Sequence, residues 1–206
     1  MSTTLPTLQE LADNTRTDKN TNHSYLELYN DLLSSRRFTA KNVLEIGIGP
    51  ALHYPCVING YTLESNGGSI KLWNDFFIHA NIYALDIIHY SQVWDGIKNN
   101  DSIKLYTSQN AYDSNFVLNE FKSTKFDFII DDGPHTLESM ILCVQLYLPL
   151  LNDNGILIIE DLQQIEWLNI LKSIVPDELK QYVTFYDRRN IKGRYDDIVF
   201  VIDKKN

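Results

Sequence analysis

Cysteine is almost missing from this chain: two in 206 residues, Cys56 and Cys143, far apart and without the paired spacing of a cysteine-built metal site. Two isolated thiols suit a reducing compartment rather than a disulfide framework. Long apolar runs are missing as well, and the polar opening "MSTTLPTLQELADNTRTDKN" has no hydrophobic signal-peptide core. The expectation is a cytoplasmic chain with no membrane partner. Positive charge is short: 18 Lys and Arg stand against 27 Asp and Glu, a formal balance of −9. A broad phosphate-binding face needs the opposite sign, so nucleic acid is not an expected partner. The one local basic cluster, Arg188, Arg189, Lys192 and Arg194, reads as a solvated loop. Repeats and long linkers are absent, and the length suits one well-packed domain over residues 1–206 rather than two.

What is present is alternation. After residues 1–40, read as an N-terminal helical segment, "SYLELYNDLLSSRR" puts Tyr25, Leu28, Tyr29, Leu32 and Leu33 on one helical face, with Ser24 as the cap. "NVLEIGIG" then reads as a short strand running into glycines, and "GGSIKLWNDFF" as a helix burying Ile70, Trp73, Phe76 and Phe77. "NIYALDI" and "SIKLYTS" are strands, and "AYDSNFVLNEFK" is a helix with Phe116, Leu118 and Phe121 turned inward. "DFII" is the fourth strand, followed by a helix carrying Leu137, Met140, Ile141, Val144 and Leu148 at helical spacing. "GILIIED" is so apolar that both its faces must be covered, as in a parallel sheet. "IEWLNILKSIV" is a helix stopped by Pro176, and "YVTFYD" and "DDIVFVID" form a closing hairpin-like pair. This is the doubly wound α/β pattern, in which ligands collect beyond the carboxyl ends of the strands.

The residues at those ends are polar: Glu45, Gly47 and Gly49; Asp86; Ser108 and Gln109; Asp131 and Asp132; Glu160 and Asp161. The glycine turn lets a ligand approach the backbone, and Asp86 is placed to accept the hydroxyls of a ribose. A dinucleotide would want the glycines to run straight into a helix, whereas "PALHYPCVINGYTLESN" intervenes. An adenosine cofactor without a pyrophosphate, S-adenosylmethionine, fits better, with its methionine moiety beside Glu45 and the glycines. A nicotinamide oxidoreductase is disfavoured for the same reason.

"DFIIDDGPH" carries the second half of the site. Asp132 and the pair Glu160–Asp161 end neighbouring strands if the fourth and fifth lie side by side, and carboxylates so gathered repel until a cation joins them. Hard carboxylate oxygens suit Mg²⁺. His135, one short turn past Asp132, could take a proton from a substrate hydroxyl. The bland alternatives are a helix cap for Asp131 or Asp132, solvated acids at Glu160–Asp161, and a surface histidine at a helix start. His23, His53, His79 and His89 have no such acidic company along the chain.

Together "VLEIGIG", "GGSIKLWNDFF", "IYALDI", "DFIIDDGPH" and "GILIIEDL", with the amino-terminal "RTDKNTNHSYLELY", resemble the class I S-adenosylmethionine-dependent methyltransferases. More narrowly, they resemble the metal-dependent O-methyltransferases acting on deoxysugars of macrolide antibiotics. The resemblance runs from about Leu11 to Leu162. It implies a seven-stranded, mostly parallel Rossmann-like sheet with the last strand antiparallel, and Mg²⁺ on Asp132, Glu160 and Asp161. It implies His135 as general base, with Asp132 beside it in catalysis. Read by position, it assigns the cofactor to Glu45, Gly47, Gly49, Ser69, Asp86, Ser108, Gln109 and Asp131, with Gln109 near the adenine. Tyr25 and His23 fall near the mouth of the site.

Two departures stand out. Pro134 replaces the usual Ser, and residues 50–66 are inserted between the glycine turn and its helix, a candidate lid or acceptor loop carrying His53, Tyr54, Tyr61 and Glu64. The function expected is Mg²⁺-dependent O-methylation of a sugar hydroxyl in a nucleotide sugar, glycan or glycosylated natural product. A catechol-like O-methyltransferase and a non-catalytic cofactor-binding module are the alternatives. The partners expected are a small-molecule or sugar acceptor, with homo-oligomerisation open.

Overall fold

A computed structural model describes residues 5–49, 57–58, 61–62 and 67–205; most of the inserted segment lies outside the described residues. The strands are β1 (Asn42–Ile46), two short strands β2 (Val57–Ile58) and β3 (Tyr61–Thr62), β4 (Asn81–Leu85), β5 (Ile103–Tyr106), β6 (Phe126–Asp131), β7 (Leu151–Ile159), β8 (Val183–Asp187) and β9 (Ile198–Asp203). Seven of them form one sheet in the order β5-β4-β1-β6-β7-β9-β8, while β2 and β3 pair separately. The five strands from β5 to β7 are mutually parallel, and β9 runs antiparallel to both β7 and β8.

The helices are α1 (Leu8–Leu11), α2 (Tyr25–Leu33), α3 (Gly68–Phe76), α4 (Asp95–Lys98), α5 (Ser114–Phe121), α6 (Leu137–Tyr147), α7 (Trp167–Ile174) and α8 (Arg189–Lys192). Successive strand residues point to opposite faces, so β6 sends Phe128 and Ile130 to one apolar cluster and Ile129 to the other. Leu26, Tyr29, Trp73 and Phe76 from α2 and α3 cover the first face. Val117, Phe121, Met140, Val144 and Leu171 from α5, α6 and α7 cover the second. Burial on both faces accounts for the unbroken "ILII" run of β7.

Three local expectations change. Leu118 is 61% exposed, because Val117 and Phe121, four residues apart, take the inner stripe of α5 and leave it turned outward. Ser24 precedes α2 but makes no capping bond; its hydroxyl donates to Asp197 at 3.2 Å instead. The basic stretch after β8 is not simply solvated. Arg188 bonds to Ser24 and Glu27, and Lys192 bonds to backbone carbonyls of Asn20 and Thr21, tying this loop to the segment before α2.

Candidate active site

Parallel register builds the site. Ile46, Asp131 and Ile159 lie abreast on β1, β6 and β7, and Leu85 and Tyr106 continue the row onto β4 and β5. The chain therefore leaves the sheet at five adjacent points, and the next residues are Gly47, Asp132, Glu160, Asp86 and Thr107. The neighbourhood expected for β6 and β7 is present.

On the cofactor side, Gly47 has a φ of 95°, and a Cβ there would run into the Asp132 carbonyl oxygen. Only glycine lets the β1 turn pass under the β6 turn so closely. Asp86 uses both carboxylate oxygens to shape the same turn, Oδ2 accepting from the Ile48 N–H at 2.6 Å and Oδ1 from the Ile88 N–H at 3.0 Å. A cleft of about 440 Å³ opens here, lined among others by Gly47, Gly49, Asp86, Ile88, Gln109 and Tyr112, and it reaches Asp132. That volume and its largely apolar lining, with a few polar groups, suit a small organic ligand. Ser108 flanks it in a left-handed conformation, φ 57°.

Three residues expected at the cofactor have inward partners. Glu45 is fully buried, and its Oε2 accepts from Trp73 Nε1 at 2.7 Å. Burial raises its carboxyl to about 7, against the opposing charge of Lys19. Ser69 is buried at the start of α3, and its hydroxyl works to lower the Glu45 carboxyl. Asp131 Oδ1 accepts from the Tyr112 hydroxyl at 2.7 Å and from the Gly133 N–H at 3.2 Å, so it braces the turn after β6. Helix capping, the alternative for Asp131 and Asp132, falls instead to Thr136 through a reciprocal pair of bonds with Ser139.

On the other side, Asp132, His135 and Asp161 each offer a ligand atom within 4.8 Å of the other two. His135 Nε2 stands 3.7 Å from Asp132 Oδ1 and 3.5 Å from Asp161 Oδ2. His135 and Asp161 have φ values of 53° and 55°. With Ser108 they are the non-glycine residues of positive φ among the described residues, and all three border the site. Backbone strain of this kind concentrates where a side chain must be aimed. The other oxygens of the two acids are held by the protein: Asp132 Oδ2 by Lys19 at 2.6 Å and Asp161 Oδ1 by the Tyr25 hydroxyl. The two carboxylate oxygens turned toward His135, Asp132 Oδ1 and Asp161 Oδ2, are the donors that fit a hard divalent cation, and the imidazole stands beside them. Glu160, expected as a third carboxylate ligand, gives one oxygen to Lys19 and the other to the Tyr29 hydroxyl at 2.6 Å.

Lys19 was not legible as a site residue, nor was Tyr29. Burial alone would lower the Lys19 ammonium, but Asp132, Glu160 and Glu45 raise it well above the usual range. Burial likewise works to raise Asp132, yet Lys19 and then His135 hold that carboxyl below its ordinary value. His23, for which no acidic company was expected, has Asp197 Oδ1 at 2.6 Å and Asp161 Oδ1 at 3.3 Å from its Nδ1. These two companions are 174 and 138 positions away, beyond the reach of local reading, whereas Asp18, whose Oδ2 lies 3.6 Å from Nε2, is near in the chain. The signal that was available lies in "TDKNTNHSYLELY", whose Lys19, His23, Tyr25 and Tyr29 all point into one carboxylate cluster.

The sheet order, its single reversed strand and the site at its carboxyl edge define the class I, Rossmann-like methyltransferase fold. In sequence the chain resembles the sugar O-methyltransferases of macrolide pathways. It is 30% identical over 127 residues to mycinamicin VI 2''-O-methyltransferase of Micromonospora griseorubida, covering 61% of this chain and 28% of that one. It is 29% identical over 165 residues to demethylmacrocin O-methyltransferase of Streptomyces fradiae, covering 79% and 38%. The chain thus spans well under half the length of these relatives. Among solved structures, the MycE methyltransferase of mycinamycin biosynthesis, in complex with Mg, SAH and mycinamycin VI, superposes with a TM-score of 0.73 at 24% identity over 96% of this chain and 53% of that one. No protein-family model matches the chain. No described helix is long and apolar enough to cross a membrane.

Proposed function

We propose that the chain is an S-adenosylmethionine-dependent O-methyltransferase that needs a divalent cation and acts on a sugar hydroxyl of a small molecule. The observation that carries this reading is adjacency: the Asp132, His135 and Asp161 cluster adjoins the cleft framed by Gly47, Asp86 and Gln109. In the reading, Asp132 and Asp161 hold the cation with Glu160 as further ligand, and Asp86 and Gln109 hold the adenosine. Bound there, the cation would supply Lewis acidity to an acceptor hydroxyl, and the sulfonium an electrophilic methyl group.

The chain's own residues do the rest. His135 accepts the hydroxyl proton at its imidazole, which Asp132 and Asp161 aim by lying against Nε2. Tyr25 and Tyr29 fix the carboxylates of Asp161 and Glu160 by donating to them, so the acids do not swing into solvent. The left-handed backbone at His135 and Asp161 brings both side chains back over the sheet edge. Orientation of this kind is a large part of what a displacement at carbon needs. Further relatives carry a rhamnosyl and an L-olivosyl group in the names of their acceptors, which supports a sugar acceptor here.

The test is methyl transfer from labelled S-adenosylmethionine to a panel of sugars and nucleotide sugars, with chelator and Mg²⁺ add-back. Turnover that chelation abolishes and Mg²⁺ restores is expected. Preferred methylation of aromatic diols would replace the sugar reading, and failure to bind S-adenosylhomocysteine in a calorimeter would remove the methyltransferase reading altogether.

A further inference from the structure

The proposed reaction leaves the buried charge of Lys19 unused. Lys19 is 2% exposed, donates to Asp132 Oδ2 at 2.6 Å and to Glu160 Oε2, and has Glu45 Oε1 at 3.7 Å. Those carboxylates lie at the ends of β6, β7 and β1, three adjacent strands. Lys19 is also held in place from its own side. Its carbonyl accepts from the Tyr25 N–H at 3.0 Å at the start of α2, and its N–H donates to the buried Thr17 hydroxyl at 3.4 Å. A backbone anchored at both ends delivers the ammonium to that point.

A cation bridging two carboxylates does what a divalent ion would do there: it offsets their repulsion. Two positive centres a few ångströms apart in a buried site also repel each other strongly. Glu45 Oε1, which is buried and accepts no hydrogen bond among the described residues, offers the ammonium a second seat nearby. We propose that Lys19 is a built-in counter-cation of the carboxylate cluster, which preassembles Asp132 and Glu160 and competes with a divalent ion for them. Lys19 is then a positioning residue that sets how tightly and how reversibly the ion is held. Glu160 engages the ion to the extent that Lys19 yields it. The inference rests on the cation reading of Asp132, Glu160 and Asp161.

The experiment is a calorimetric titration of the metal-free full chain with Mg²⁺, without cofactor or acceptor, comparing the native protein with Lys19→Met and recording melting temperatures alongside. Lys19→Met is expected to bind Mg²⁺ about tenfold or more tightly, because a repelling charge is gone. Its metal-free melting temperature is expected to fall and to recover with Mg²⁺. A purely structural lysine predicts the reverse, weaker binding in a loosened site. Equal or weaker binding by the variant while the native protein binds therefore overturns the inference and leaves the cation reading standing. If neither protein binds, both fall together. Should Lys19→Met not fold, Lys19→Gln keeps a donor for Glu160 without the charge and carries the same expectation.

Discussion

Gly47 and Asp132 touch: the turn leaving β1 passes so near the carbonyl oxygen of Asp132 that no side chain fits between them. The glycine turn and the first acid of the proposed metal cluster are therefore one packed unit. Gly47→Ala is expected to strain both, because its φ of 95° disfavours any L side chain and the obstacle is backbone. A loss on the order of 3 kcal/mol in urea denaturation is expected, with weakened binding of S-adenosylhomocysteine. Full stability in the alanine variant would show that the two turns can separate.

His135→Ala is expected to lower turnover by about a hundredfold or more, the usual scale for losing a general base. Binding of S-adenosylhomocysteine should be unchanged, because His135 is not among the residues lining the cleft. His135→Asn is the matched control, since asparagine tolerates the left-handed backbone that His135 adopts at φ 53°. Near-native turnover in either variant would remove His135 as the base.

Asp161→Asn tests the cation without testing the fold. The left-handed conformation at φ 55° is again one that asparagine accepts, and the amide oxygen can still receive the Tyr25 hydroxyl. The expected result is a native-like melting temperature with Mg²⁺ binding and turnover lost together. An unchanged calorimetric Mg²⁺ titration would argue against the site.

Stability should depend on pH through Glu45. Its folded-state carboxyl is raised from 4.5 to about 7, chiefly by burial, so the folded chain binds more protons than the unfolded one between those values. Its contribution is therefore complete below about pH 4.5 and is lost as pH rises through about 7, a change on the order of 3 kcal/mol. Glu45→Gln should flatten that part of the profile in urea midpoints taken across the range. A variant that keeps the native slope would assign the dependence to another group.

Much of this molecule is legible from its residues in order. The apolar runs "FDFII" and "GILII" mark central strands, because only a strand covered on both faces uses so little polar surface. Asp86 and Glu160 follow such runs directly and Asp132 follows one residue later, so their place at the sheet's carboxyl edge follows from strand polarity alone. Leu118 shows where such reading slips: one position of error in a helical stripe exchanges an inward residue for an outward one.

The sequence by itself determined the alternation of strand and helix, the acids at the strand ends and the glycine that lets two turns meet. These depend on periodicity and backbone chemistry, which act between near neighbours. Tertiary structure alone decided that Lys19 would sit between Asp132 and Glu160, and that His23 would find Asp197 and Asp161. Those partners lie more than a hundred positions apart, and strand order together with the docking of α2 on the sheet brings them within bonding distance.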